Sequence, residues 1–171
     1  MKQRPTKEEH AQYYGKYINL VPDGDIIEVL IHQQNTLKGF LKTIDEEKAN
    51  FRYADDKWSI KEVVGHILDG ERIFAYRALR ISRNDSKPLL GFEQNEYIIH
   101  SNYANILFEK IVDEFFLVRE SNILMFKGFT DDMWPRMGNA SGNPVSVRAI
   151  AYILAGHTEH HINVLKEKYN C

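Results

Sequence analysis

Three of the seven histidines in this 171-residue chain stand where a helix would place core hydrophobes. Near the C-terminal end, steps of three and four residues pick out Val147, Ile150, Leu154, His157, His161 and Val164. Residues four apart stack on one face of a helix. His157 and His161 thus offer two imidazole nitrogens to one point, the simplest way for a single helix to supply two metal ligands. The alternative is a pair of half-buried imidazoles bonded to neighbouring side chains, against a cost of about 1–3 kcal/mol in lost hydration for each ring left without a partner. A second helical stripe, Ser59, Val63, His66, Gly70 and Ile73, shows the same intrusion. Gly65 before His66 and Gly70 one turn after it remove bulk where another group would approach. Imidazoles from His66, His157 and His161 would hold a divalent ion and leave coordination positions open for water or substrate, which suits a catalytic site better than a closed structural one.

The catalytic partners of such an ion are not fixed by spacing. Gln34, Asp69, Glu71 and Glu114 fall in or near inward registers, and any of them could accept a proton or orient a ligand imidazole. For each taken singly, a solvated helix edge or a salt bridge to Arg77 or Arg119 is the simpler reading. His160 lies beside the ligand stripe, next to the ligands or at the surface; His10, His32 and His100 lie off the stripes or in loops and receive no role. Cys171 is the only cysteine, so neither an internal disulfide nor a cysteine-based metal cluster is available. If a metal binds, histidine and carboxylate must hold it.

These residues need long helices to carry them. The apolar positions Ile27, Leu30, Leu37, Leu41 and Ile44 follow helical spacing and predict a first long helix over 24–45, after a shorter tyrosine-rich helix over 8–20 stopped by Pro22. Ser59-Ile60-Lys61-Glu62 is a capping box that starts a second long helix running to Arg83. Residues 84–100 read as a long loop packed on the bundle. A third helix is expected over 103–127, with Leu107, Ile111, Phe115, Val118 and Met125 inward and Gly128 as its stop. The aromatics Phe74, Tyr76, Phe115, Phe116 and Phe126 read as core. A turn at 130–134 and a loop or small hairpin over 129–145 follow, before Ser146 caps a last helix over 147–169. The fold class is all-α: an up-down or crossed four-helix bundle with an additional short helix and long crossover loops, in one domain spanning 1–171 with residues 1–22 as a peripheral helix or extension.

Composition narrows the function further. Hydrophobic residues make up 43% and charged residues 27%, enough apolar material for a single core. With 22 Lys and Arg against 24 Asp and Glu, and no dense basic run, nucleic acid is not expected as a partner. No apolar window has the length of a membrane span, and the charged start MKQRPTKEEH is followed by no apolar stretch, so a soluble, cytoplasmic protein acting on a small molecule is expected.

At the same residues the chain resembles the DinB/YfiT-like metal-binding helical bundles of bacteria. The resemblance spans about residues 25–169 and rests on WSIKEVVGHILDGERIFAYRALRISRND (58–85), PLLGFEQNEY (88–97), GNPVSVRAIAYILAGHTEHH (142–161) and VLKEKY (164–169). Pairing W-S-x-x-E-V-x-x-H with a distant G-H-x-x-H-H is far more specific than either half. The family pattern implies that His66, His157 and His161 bind one divalent metal, commonly nickel or zinc. Some relatives replace a ligand histidine by glutamate; this chain does not. Members have been labelled metal-dependent hydrolases, and others use the metal to activate a low-molecular-weight thiol such as bacillithiol or mycothiol for S-transfer or isomerisation. The resemblance thus implies a thiol S-transferase, with a hydrolase or a non-catalytic metal-binding stress-related bundle as alternatives, and a homodimer as the assembly.

Overall fold

The structure is a computed structural model that describes residue 1 and residues 3–171. Its helices are α1 (Gly15–Ile18), α2 (Ile26–Leu41), α3 (Glu46–Ala49), α4 (Ile60–Ser82), α5 (Gln94–Ile99), α6 (Phe108–Lys127) and α7 (Val147–Tyr169). A hairpin of β1 (Met137–Ala140) and β2 (Asn143–Ser146) precedes α7.

Three of the four long helices start at a side chain that satisfies a free amide of the first turn, while α6 starts after Leu107 with no such cap and its Phe108 amide donates to Glu46 Oε2 at 2.8 Å. Asp25 accepts from the Ile27 amide at α2 and Ser146 from the Ala149 amide at α7. At α4 the capping box is complete: Ser59 Oγ accepts from the Glu62 amide, while Glu62 Oε2 accepts from the Ser59 amide at 2.6 Å. The expected last helix and its observed span coincide, and α4 ends one residue before the expected Arg83.

Four regions differ from expectation, the first being the loop expected over 84–100, in which Gln94–Ile99 forms α5 because the Glu93 side chain accepts from the Asn95 amide and caps it. The helix expected over 8–20 is broken into 3-10 turns at Lys7–Glu9 and Gln12–Tyr14 followed by the single turn of α1, because Glu9 is turned inward to Arg148 and Ser146 of the hairpin–α7 junction. The helix expected to reach residue 45 stops at Leu41, and α3 begins afresh at Glu46 with Asp45 as its cap. The third helix starts at Phe108 rather than 103, and its inward stripe is Phe108, Ile111, Val112, Phe115, Arg119, Asn122, Ile123 and Phe126. Leu107 is 55% exposed and Tyr76 is 52% exposed, so neither belongs to the core.

Helix α4 packs against α6 and α7, and α2 packs against the same two. The sequential pairs α2/α4 and α6/α7 therefore lie across the bundle from each other, and the connections 42–59 and 128–146 cross it. This is the crossed form of the bundle. The loop 84–93 docks on the hairpin, where the Leu89 amide donates to Asn139 O and the Ser141 amide to Leu89 O. The hairpin turns at Ser141-Gly142 with both residues at positive φ, as a type I′ turn demands.

The core is divided in two. One apolar cluster gathers Leu30, Phe74, Phe126, Trp134 and Ile150; the other gathers Leu37, Leu68, Phe115, Ile162 and Tyr169. Between them each long helix contributes a polar residue: Gln33, Glu71, Arg119 with Asn122, and Thr158. Arg119 is fully enclosed and donates to Glu71 Oε1 at 2.5 and 3.0 Å, to Gln33 Oε1 at 2.9 Å and to Thr158 Oγ1 at 2.9 Å. Asn122 Nδ2 donates to Glu71 Oε2 at 2.9 Å. Every charged group in this layer is thus paired and hydrogen-bonded, the condition under which buried charge is tolerated.

Candidate metal centre

The three histidines meet at the level of this polar layer. His66 reaches across from α4 to His157 on α7, with Nε2 to Nε2 at 2.9 Å. His161 lies one turn beyond His157, and its ring centroid is 4.7 Å from that of His66 and 4.6 Å from that of His157. One ring nitrogen from each of the three lies within 4.8 Å of the others. His66 and His157 are buried and His161 is half-buried.

Small residues and aromatic walls hold the rings in place. A Cβ on Gly70 would stand 3.1 Å from the His157 ring, so the glycine lets α4 lie against that imidazole. Gly156 allows a closer approach still: a Cβ there would fall 2.0 Å from Tyr17 O, so α1 crosses directly over α7 beside His157. Gly65 faces the ring of Tyr103. Tyr17 and Phe74 pack edge-on to His157 at 5.5 and 5.6 Å between centroids, and Trp58 lies 5.0 Å from His66.

Burial sets the protonation of the site. It lowers His66 to about 4 and His161 to about 2, the latter with further help from the neighbouring imidazoles, and it holds His157 well below the ordinary histidine value. All three are therefore neutral at pH 7, with a lone pair free. Among the described residues the His66–His157 contact is the only hydrogen bond these three rings make. Two ring nitrogens at 2.9 Å and a third close by, converging without a carboxylate between them, form a donor set that fits a divalent ion of borderline softness.

The other sequence candidates lie elsewhere. Glu71 is committed to Arg119 and Asn122 in the polar layer. Asp69 accepts from the Tyr103 hydroxyl at 2.7 Å, and burial raises its carboxyl above the usual range. Glu114 is exposed and pairs with Arg72. Gln34 leaves its Oε1 enclosed without a partner, outside the histidine group, while its neighbour Gln33 is the glutamine that enters the bundle. None of these four joins the cluster. His160 is half-buried beside it, edge-on to Tyr17 at 5.4 Å and to His161 at 5.0 Å.

A cleft of about 220 Å³ opens on His66 and His157. Its walls include Tyr13, Tyr14, Tyr17, Phe74, Phe92 and Ser141, with Arg77, Glu93 and Gln94 as further polar groups. The Tyr13 and Tyr17 hydroxyls lie 3.2 Å apart, and Lys16 Nζ sits 4.0 Å from the Tyr13 ring centroid. Tyr17 and Arg77 were not singled out from sequence as site residues. Signals for both exist: Gly156 beside His157 marks a close approach, and Arg77 is a charge three turns along the stripe that carries His66 and Gly70.

A crossed four-helix bundle with a three-histidine centre between its second and fourth long helices defines the class of protein. Residues 30–165 match the DinB superfamily, and the chain belongs to it. A protein of Oceanobacillus iheyensis named "Putative metal-dependent hydrolase" is 22% identical over 134 residues, covering 77% of this chain and 76% of that protein. The structure of YfiT from Bacillus subtilis, described as a probable metal-dependent hydrolase with an unusual four-helix bundle topology, is similar with a TM-score of 0.75 at 13% identity, over 99% of this chain and 93% of that one. The last likeness concerns the fold.

Proposed function

We propose that the protein binds one divalent metal ion, nickel or zinc, on His66, His157 and His161 and transfers a low-molecular-weight thiol such as bacillithiol to an electrophile. The observation that carries the reading is the convergence of three imidazoles from two helices, two of them buried and lining a cleft and the third half-buried beside them. An ion held there supplies Lewis-acid stabilisation of a thiolate, or of deprotonated water, at neutral pH. Tyr17, Phe74 and Trp58 shield the imidazoles from bulk water and fix their orientation. The acidic candidates are engaged at Tyr103, Arg119 and Arg72, which leaves Glu93, the cap of α5, as the carboxylate lining the cleft that a water nucleophile would need as its base. A thiol, with an ordinary pKa of about 8.5 against about 16 for water, needs that base less. The names of the relatives favour hydrolysis as the second reading.

The test starts with elemental analysis of protein purified without an affinity tag or added metal, beside His66→Ala, His157→Ala and His161→Ala. About one ion per chain in the wild type, lost in the variants, is the expected result. The same samples are then given bacillithiol with an alkylating electrophile, and separately p-nitrophenyl acetate without thiol. Metal-dependent conjugation supports thiol transfer. Metal-dependent ester cleavage alone assigns the hydrolase, and full metal occupancy with neither reaction removes the enzyme reading altogether.

A further inference from the structure

Arg77 is buried, 4% exposed, and is paired with no carboxylate among the described residues. Its two hydrogen bonds both leave from Nη2, to Leu90 O at 2.9 Å and to Ser141 Oγ at 3.0 Å. A guanidinium carries five N–H donors and is always charged. Nε–H and both hydrogens of Nη1 therefore remain. Among the described residues the enclosed side-chain atoms without a partner are Gln34 Oε1 and the Tyr152 hydroxyl, so Nε and Nη1 are not sealed inside protein. Arg77 lines the cleft over His66 and His157, and it also borders an outer groove beside Tyr76 and Leu90 and a small void beside Phe74 and Val145, so the cleft is one of the spaces these donors can face. Burying a cation without its counter-ion is costly, and every other buried arginine here has one: Glu71 for Arg119 and Glu9 for Arg148.

We infer that Arg77 is the anion-recognising residue of this cleft, and that the substrate carries a carboxylate or phosphate group which completes the pairing. This rests on the reading of the cleft as the substrate site. Arg77 lies eleven residues beyond His66 on α4, about 16 Å along the axis at about 1.5 Å per residue. Helical side chains lean toward the N-terminus, which brings the guanidinium back toward the histidines. The ligand is thus a molecule whose anionic end lies several bonds from the end that reacts. The remaining N–H groups suit oxyanions, which planar guanidinium binds through paired hydrogen bonds. Lys16 at the tyrosine wall adds positive charge; Glu93 is the carboxylate in the cleft, and its Oε1 accepts from the Asn95 amide at 3.2 Å. Arg77 also borders an outer groove lined by Tyr76, Arg80, Leu90 and Tyr97, so the test must place the ligand as well as detect it.

Hexanoate, hexylphosphonate and hexan-1-ol share a six-carbon chain and differ at one end. Each is titrated into the full-length protein, with metal content measured on the same sample, while the Arg77 Nε–H and the His66 and His157 ring resonances are followed by NMR. At least one anion is expected to bind about tenfold more tightly than the alcohol and to shift Arg77 and histidine resonances together. Which anion does so separates a carboxylate from a phosphate ligand. Arg77→Met should abolish the preference over hexanol, and Arg77→Lys, which keeps the charge without the fork, should retain part of it. Equal binding of all three probes, a preference that survives in Arg77→Met, or shifts at Arg77 that leave the histidines unmoved each overturns the inference. The wild-type titration is repeated on metal-free protein, where no ion on the histidines can bind the anion, so it decides even if Arg77→Met fails to fold and stands apart from the failure of the metal reading.

Discussion

Gly156 is where the site is least tolerant of change. A methyl group there would meet the backbone carbonyl of Tyr17 at 2.0 Å, which no side-chain rotation can relieve. Gly156→Ala is expected to lift α1 off α7, to cost about 1–3 kcal/mol as overpacking does, and to weaken metal uptake through the loss of Tyr17 beside His157. Gly39 provides the contrast, since it lies within α2 with nothing within 4 Å of its Cβ position. Gly39→Ala should stabilise by about 0.5–1 kcal/mol from helix propensity alone. Urea unfolding of both variants measures the contrast; similar shifts in both would mean that the Tyr17 contact is soft. The histidine triad was legible at this scale because imidazoles in a heptad stripe violate a strong pattern. The acids were not, because a carboxylate at a stripe's edge reads the same whether it faces an ion, an arginine or water. Glu71 and Asp69 are separated by their partners Arg119 and Tyr103, which lie 48 and 34 residues away.

Among the elements, the N-terminal segment shows most clearly how tertiary ties override local pattern. Its tyrosines suggested one amphipathic helix, yet Glu9 enters the junction of β2 and α7, where Ser146 Oγ donates at 2.7 Å and Arg148 Nε at 2.5 Å. Burial raises the Glu9 carboxyl, but the bonds from Arg148, Ser146 and the Thr6 backbone outweigh it and leave it at about 2. A carboxyl depressed in the folded state contributes its stability above its unfolded value, about 4.5, and loses it as pH falls from there toward 2. The contribution is at most about 3 kcal/mol. Wild type and Glu9→Gln, unfolded by urea from pH 6 to pH 2, should therefore differ most at the upper end and converge toward the lower. Parallel profiles would show that the tie carries no net stability. The long helices were readable because caps and apolar spacing are local. The α3 turn, the α5 turn and the late start of α6 were not, because they depend on where crossing connections must bend.

At the scale of the whole molecule, the bundle is two apolar clusters joined through a charged layer, and the three-histidine cluster sits at that layer. Glu71 follows Gly70, against which His157 rests, and Thr158 follows His157 itself. The Arg119 network therefore fixes α4 against α7 where His66 and His157 meet, although Arg119 touches no imidazole. Arg119→Met should leave Glu71 as an enclosed carboxylate without its cation and cost about 3–5 kcal/mol in urea unfolding. The double variant Glu71→Met/Arg119→Met removes both charges and should recover much of that loss, since apolar replacement of a buried pair is often neutral. Metal uptake then separates a general loss of stability from a loss of register. If the layer aligns the two helices, Arg119→Met takes up less metal at temperatures where it is still folded, and the double variant regains stability without regaining full uptake. If uptake follows stability alone in both variants, the layer contributes only to the fold and the histidines are aligned by Gly70, Gly156 and the aromatic walls.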